Sequence, residues 1–240
     1  MQLLQLTLPT AVENLALDEA LLDAAEAREL DDDEVLRIWE PTSPVAVLGR
    51  SSRVAEEINL QEARRLDVPV LRRASGGASI VTAPGCLMYA VVLNQVRRPQ
   101  LRAIHAAHRY VLDHLAMAIR RQGFAVYPAG TSDLAYSDRK VSGNSMRCKR
   151  THLLYHGTLL YAMDLSWIAR LLLQAPRQPE YRRARPHDQF VANVPVESGI
   201  LCRDLCQLWQ VSGTMGAWPQ ERTRRLVEEC YGRTEWVFRF

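Results

Sequence analysis

Between residues 124 and 162 the chain reads as four strand-length runs, at 124–127, 133–136, 139–147 and 152–162, with little more than turns between them. Asp138, preceded by Ser137, marks the tightest of those turns. The rest of the chain alternates in kind. Residues 2–8 alternate apolar and polar side chains and predict a strand. Thr10 and Glu13 form a capping box for a helix over about 11–29, with Leu15, Leu22 and Ala25 on one face. The acidic run Asp31–Glu34 is a turn. Strands are predicted at 35–39, 45–48, 69–73, 79–82 and 87–93, with a helix at Leu60–Leu66. Ile104, Val111, Leu115 and Ile119 sit at helical spacing over 101–121, ending at Gly123. A helix at 165–173 runs into a loop rich in Pro and Arg, 174–188. Helices near 200–210 and 219–231 and a strand at Glu235–Phe240 complete the tail. Mixed strands with segregated helices predict an α+β fold, with mixed, largely antiparallel sheets and helices packed on them.

At 240 residues, 48% hydrophobic and 24% charged, the chain can bury a substantial core and reads as one large domain or two small ones. Its longest apolar runs, such as Leu87–Leu93, are strand-length and far short of a membrane span. The N-terminus lacks a basic n-region and turns acidic by Glu13, unlike a secretory signal. Five cysteines, an odd number with no CxxC pair, argue against a disulfide framework or a zinc site and fit a reducing cytoplasm. The basic residues are 28 arginines and two lysines, Lys140 and Lys149, and the net charge is +3. That balance argues against a nucleic-acid binder working by charge alone. Charge is unevenly placed, however. Residues 1–34 hold ten acids and one arginine, whereas 139–185 hold ten basic residues and two acids. The basic stretch is either a solvated face or a patch that attracts an anionic partner.

Two segments are richer in chemistry than their surroundings. In Arg72-Arg73-Ala74-Ser75-Gly76-Gly77-Ala78 a strand delivers two arginines into a Ser-Gly-Gly turn. Glycines let backbone N–H groups approach an anion, and arginine adds a planar donor fork. Many β-turns look the same, and no GKS or GKT follows to make a Walker A loop. In the second segment Asp133 precedes Lys140, which stands beside Ser142-Gly143-Asn144; the chain then returns as His156-Gly157-Thr158. A lysine near a glycine-rich loop can neutralise a phosphate or polarise a carbonyl. Taken singly, Lys140 reads as a hairpin-edge lysine and His156 as a core histidine.

Together, RRxSGG, KxSGN and HGTLL, in this order, resemble the lipoate–protein ligase and octanoyltransferase family, which shares its catalytic-domain superfamily with the biotin ligases. Asn14-Leu15-Ala16-Leu17-Asp18-Glu19, Leu48-Gly49-Arg50 and Asn59 extend the likeness over roughly residues 10–215, which implies a single catalytic domain of this type over 1–240. The resemblance implies ATP-dependent activation of lipoate or octanoate to an acyl-adenylate, then transfer to a lysine of an acceptor lipoyl domain. Lys140 is similar to the family's essential lysine. Arg72, Ser75, Gly76, Gly77 and Ala78 would line the acyl and adenylate pocket. Asp133 would lie near the adenylate and any magnesium. Ser142, Gly143 and Asn144 would form the wall beside Lys140, with His156, Gly157 and Thr158 on the adjoining strand. Val70, Leu71, Leu87 and Tyr89 are candidate lining for the acyl tail. An acidic lipoyl domain would dock on the basic stretch, with Arg182, Arg183 and Arg185 as the contacts to test. No nucleic-acid or membrane partner is implied.

Four features depart from the family pattern. Ala78 replaces a third glycine, Val81–Cys86 replaces a His-Asp pair, Ser51-Ser52-Arg53 replaces Gln-Asn, and the chain is too short for the accessory C-terminal domain of larger ligases. A separate polypeptide supplies that function, or the chain adenylates without it, or it performs transfer only. The transfer reading needs a cysteine acyl-enzyme, for which Cys86 is the best candidate and Cys148 the next. A third reading is a non-catalytic acyl- or adenylate-binding protein.

Overall fold

The computed structural model describes residues 1–174 and 178–240. Its strands are β1 (Gln2–Gln5), β2 (Val35–Trp39), β3 (Val45–Leu48), β4 (Val70–Arg72), β5 (Ile80–Thr82), β6 (Cys86–Asn94), β7 (Tyr127–Ala129), β8 (Asp133–Tyr136), β9 (Arg139–Cys148), β10 (His152–Leu160) and β11 (Gly213–Thr214). Its α-helices are α1 (Ala11–Glu26), α2 (Val54–Glu57), α3 (Leu60–Arg65), α4 (Ile104–Arg121), α5 (Ser166–Leu171), α6 (His187–Phe190), α7 (Ser198–Leu208), α8 (Gln220–Leu226) and α9 (Thr234–Val237). Eight strands form one sheet in the order β11-β1-β2-β6-β10-β9-β8-β7, and three form another in the order β4-β3-β5. Pairing is antiparallel except for β1 with β11 and β2, and β3 with β4. The α+β class with largely antiparallel sheets is thus present.

Layering follows from which faces are apolar. One face of the large sheet packs Leu36, Tyr89, Val91 and Leu153 against Val111, Leu115 and Ile119 of α4 and Leu201 and Leu205 of α7. The other face, with Ala90, Val92 and Leu154, receives Leu17, Leu21 and Ala25 of α1. The opposite side of α1 meets the small sheet through Leu15, Ala16, Val45 and Val47. Lying between two sheets, α1 buries eleven of its sixteen residues, so the single apolar face expected for it is replaced by burial nearly all round. Thr10 and Glu13 close the expected capping box, with Thr10 N donating to Glu13 Oε2 at 3.0 Å and Glu13 N donating to Thr10 Oγ1 at 3.3 Å.

The ladder of β6, β10 and β9 positions the site. β10 pairs with β6 from His152 opposite Asn94 to Leu160 opposite Cys86. It pairs with β9 so that His156 faces Ser145, Gly157 faces Asn144 and Thr158 faces Gly143. Ser137 and Asp138, both at positive φ, make the tight turn between β8 and β9. The strand expected at 124–127 lies instead at Tyr127–Ala129, and β1 stops at Gln5, the last residue paired with β2. The strand expected at 235–240 is the helical turn α9. Its form satisfies Arg72: the consecutive carbonyls of Trp236 and Val237 converge on one buried guanidinium, whereas consecutive carbonyls of a strand diverge.

Candidate functional site

Two adjoining cavities open where the β9–β10 ladder meets the turn after β4. The larger, about 380 Å³, is walled by Arg73, Gly77, Asp133, Lys140, Asn144, Ser145 and His156, and by the apolar side chains of Leu15, Val47, Ile80 and Met88. The smaller, about 120 Å³, is mostly apolar, with Val81, Leu160, Ile168, Phe190 and Val191 around Glu57, Arg182 and His187. Both are lined by Ala78, Ser79, Ile80, Lys140, Gly143, Thr158 and Pro179. Lys140 therefore stands at their junction.

Lys140 is the second residue of β9, and its ammonium lies 2.7 Å from Asp133 Oδ1. Its side chain folds back over Gly143: a Cβ there would sit 2.8 Å from Lys140 Cε and Nζ, so a larger residue would expel the lysine. Asp133 Oδ2 accepts from the Tyr181 hydroxyl at 2.7 Å, in the segment that also brings Pro179 over the cavity. Asn144 donates to Ser132 O at 2.8 Å and to Ser142 Oγ at 3.0 Å and accepts from the Tyr89 hydroxyl at 2.5 Å. Gly157 faces it across the ladder, where a Cβ would lie 1.7 Å from Asn144 Oδ1. Gly143 and Thr158 exchange long hydrogen bonds of 3.4 Å.

The turn after β4 forms the opposite wall. Gly77 has φ +85°, a conformation costly for other residues, and its carbonyl occupies the space where a Cβ on Gly49 would be. That contact accounts for the glycine of Leu48-Gly49-Arg50; the next residue, Arg50, donates its N–H to Ser75 O at 2.8 Å. Asn59, also in the resemblance, caps α3 by accepting from Glu62 N at 3.1 Å.

Several expected residues stand elsewhere. Arg72 does not line either cavity among the described residues. It is wholly buried and donates to the carbonyls of Gly49, Ser52, Trp236 and Val237, tying the turn to α9. Its neighbour Arg73 faces the larger cavity, because successive residues of an extended chain point to opposite sides. Among the described residues Arg73 donates to neutral acceptors: Ser75 Oγ at 3.1 Å and the carbonyls of Val47, Gly76 and Ala78. Burial pulls its guanidinium down to about 10, with Glu57 the one acid opposing. A buried cation with neutral partners favours an anionic ligand. Ser75 and Gly76 lie behind the wall: Ser75 Oγ contacts His156 Nε2 at 2.5 Å, and Gly76 O accepts from Ser145 Oγ at 2.9 Å.

The suggested acyl lining is also displaced by register. Leu87 and Tyr89 point into the α4 side of the core, Val70 and Leu71 pack in other clusters, and Met88 between the first two faces the cavity. Cys86 is fully buried at the start of β6, outside both cavity walls, and burial pushes its thiol up to about 12. Cys148 is exposed at the far end of β9. No cysteine lines either cavity among the described residues. A resident metal does not fit either: Asp133 spends both oxygens on Lys140 and Tyr181, and no group of three or more His, Cys, Asp or Glu able to hold an ion occurs among the described residues.

On the basic stretch, Arg182 is buried with its guanidinium over the Phe190 ring, which removes it from any docking face. Arg183 is exposed, and Arg185 is mostly covered beside Asp138. Part of the Pro- and Arg-rich loop, residues 175–177, lies outside the described residues.

Of the residues that do line the site, Arg73, Ser145, Leu15, Val47 and Met88 were not expected. Strand alternation was the signal available for Arg73 and Met88. Leu15 and Val47 carried none, since a site assembled between two sheets is not a sequence pattern.

Residues 10–202 match the family model described as the lipoyl protein ligase A/B catalytic domain. The chain is similar to a putative lipoate-protein ligase A of Aeropyrum pernix, 28% identical over 72% of this chain and 62% of that one. It is also similar to the octanoyltransferase LipM of Carboxydothermus hydrogenoformans, 26% identical over 96% of both. It thus spans less than two thirds of the ligase relative. A solved structure, a bi-partite lipoate protein ligase and its E2 lipoyl domain from Thermoplasma acidophilum, superposes with a TM-score of 0.80 over 99% of this chain and 95% of that one, at 21% identity.

Proposed function

Because the chain belongs to the lipoyl protein ligase A/B catalytic domain family, we propose that it is a lipoate–protein ligase that activates lipoate or octanoate with ATP. The acyl carboxylate oxygen attacks the α-phosphorus, pyrophosphate leaves, and an acyl-adenylate remains. The amine of an acceptor lysine then attacks the acyl carbonyl, AMP leaves, and an amide is formed. A carboxylate is a poor electrophile; the mixed anhydride supplies the leaving group that the transfer needs.

The observation that carries this reading is the place of Lys140, at the junction of two connected cavities. An acyl-adenylate has two unlike halves joined by a phosphoanhydride. The larger cavity, with an apolar end at Leu15, Val47 and Met88, suits the acyl chain. The smaller, with the Phe190 ring and the polar atoms of Glu57 and His187, suits a base. Lys140 would then donate to the phosphate and carbonyl oxygens between them, and Arg73 would face the anion from the other wall. Asp133 holds Lys140 until the ligand arrives. Magnesium would enter with the nucleotide phosphates as part of the co-substrate. The partner is an acidic lipoyl domain meeting Arg183, and a separate polypeptide is the candidate for the accessory role.

The second reading, octanoyl or lipoyl transfer without ATP, is favoured by the likeness to an octanoyltransferase along nearly the whole chain. Against it stands the position of Cys86, sealed in the core and protonated at neutral pH. Non-catalytic binding would leave the Lys140–Asp133 pair without a task. No helix among the described residues is long and apolar enough to cross a membrane; a cytoplasmic setting belongs to the proposal. Lipoate-dependent ATP–pyrophosphate exchange tests the first step. Exchange lost in Lys140→Ala and retained in Cys86→Ala supports the ligase. Failure of the wild type to exchange and to transfer from supplied lipoyl-adenylate, with octanoyl transfer abolished by Cys86→Ser, would establish the transferase.

A further inference from the structure

α1 carries three buried polar side chains, Asn14, Asp18 and Glu19; Glu19 accepts from the Tyr231 hydroxyl, whereas Asn14 and Asp18 lie one turn apart on the side of Arg37. Neither lines the two ligand cavities, and the reaction proposed above does not use them. Arg37 of β2, wholly buried, reaches both. It donates to Asp18 Oδ1 at 2.6 Å, to Asn14 Oδ1 at 2.6 Å, to Asn14 O at 2.7 Å and to Leu6 O at 3.2 Å. The other oxygen of Asp18 lies 3.1 Å from His156 Nδ1. His156 Nε2 lies 2.5 Å from Ser75 Oγ, and Arg73 Nε donates to that same hydroxyl at 3.1 Å. An unbroken chain of contacts thus crosses from α1 through β10 to the wall of the larger cavity.

With the His156 ring neutral, donor and acceptor chemistry gives each link one direction. Arg37 and Arg73 can only donate. Burial pushes the Asp18 carboxyl up, but the Arg37 charge and the His156 bond outweigh it and hold the group below the usual carboxylate range. An ionised Asp18 can only accept, so the proton it shares with His156 sits on Nδ1. A neutral imidazole has one such proton. Nε2 must then accept, the Ser75 hydroxyl must donate to it, and the Ser75 oxygen is left to accept from Arg73.

We infer that Asp18 is a positioning residue: by fixing His156 in its Nδ1-protonated form it orients Ser75, and Ser75 aims the Arg73 guanidinium at the ligand anion. The connectivity is that of a serine nucleophile with its base. Ser75, however, is 1% exposed and stands behind the cavity wall, so the output of the chain is the direction of Arg73 and not attack by Ser75. The kinetic arm of the test rests on the acyl-adenylate reading; the ring tautomer does not.

Long-range ¹H–¹⁵N correlation spectra of the ¹⁵N-labelled protein report the tautomer directly. The wild type is expected to show His156 with a proton on Nδ1 and a bare Nε2, and Asp18→Asn to shift the ring toward the commoner Nε2-protonated form. With lipoate and ATP, Asp18→Asn should raise the KM for lipoate about tenfold while kcat stays within about threefold, as expected when an anion contact is misaimed and the reacting groups are kept. Ser75→Ala, which leaves the buried ion pair intact and keeps the variant folded should Asp18→Asn fail, should raise KM similarly with the tautomer unchanged. An Nε2-protonated ring in the wild type, or an unaltered KM in Ser75→Ala, overturns the inference. So does acyl or fluorophosphonate adduct on Ser75 found by mass spectrometry. If the wild type forms no adenylate, the activity reading fails while the tautomer still decides the relay.

Discussion

The two walls of the site are built by different means. The wall that carries Asn144, Ser145 and His156 rides on the β9–β10 ladder, where seven successive residue pairs from Leu153–Cys148 to Leu159–Ser142 share the load, and Lys140, two residues beyond its end, pairs with Ala135 of β8. The Arg73 wall follows a strand of three residues and is held by side-chain hydrogen bonds: Arg73 to Ser75 and Ser75 to His156. A ladder spreads the loss of one bond over its neighbours, whereas a chain of single bonds is cut by one substitution. The first wall should therefore fail only when a chemical group is removed, and the second when any link is.

The largest effect should come from Lys140. Lys140→Ala should lower kcat/KM for adenylation by about 10²–10³, the usual cost of one preorganised donor to developing charge. Lys140→Arg should fail nearly as badly, because a wide guanidinium cannot lie across Gly143 where the ammonium does. Steady-state pyrophosphate release measures both, and an active Lys140→Arg would break the first half of the comparison.

Next in size is Arg73→Met, expected to raise the KM for lipoate roughly 10–100-fold through loss of a charge-assisted contact worth about 1.5–3 kcal/mol. Gly157→Ala probes the ladder itself. Its methyl would meet Asn144 Oδ1, so Asn144 must leave Tyr89 and Ser132, and thermal unfolding should show a loss of about 1–3 kcal/mol. Arg72→Met should cost a similar 2–4 kcal/mol by orphaning buried carbonyls, and the effect should be read as stability with lipoate binding largely kept. The smallest effect belongs to Cys86→Ser, expected to leave kcat/KM within about twofold, because the thiol lies outside both cavity walls. Its pH dependence carries a sign. Burial raises the thiol to about 12, so the reactive thiolate is scarce below that pH, and iodoacetamide at neutral pH should label exposed Cys148 and spare Cys86.

Much of this was legible in the sequence, for reasons that can be named. The β8–β9–β10 meander was readable because its turns are short and chemically marked, above all Ser137-Asp138 at positive φ. Lys140, Asp133, Asn144 and the glycines facing them were readable because the β8–β9 and β9–β10 pairings set them in register once the motifs are ordered, with Asp133 opposite Gly143 and Asn144 opposite Gly157. The misreadings share a cause. Arg72 for Arg73, and Leu87 and Tyr89 for Met88, are one-residue errors of face, and on a strand such an error exchanges cavity for core. The tail was misread as a strand because its role, satisfying Arg72 from 164 residues away, leaves no local pattern. Asp18 stood in a segment noted for its resemblance alone; a carboxylate in a helix buried on both sides was the sign that it had a partner.

If Lys140, and not a cysteine, drives acyl transfer through an adenylate, the mass of an acceptor lipoyl domain will show it after incubation with this protein, lipoate and magnesium, with and without ATP. A lipoyl mass increase that requires ATP, survives Cys86→Ser and disappears in Lys140→Arg is the predicted result. A mass increase obtained without ATP from an octanoyl thioester donor and abolished by Cys86→Ser would contradict it.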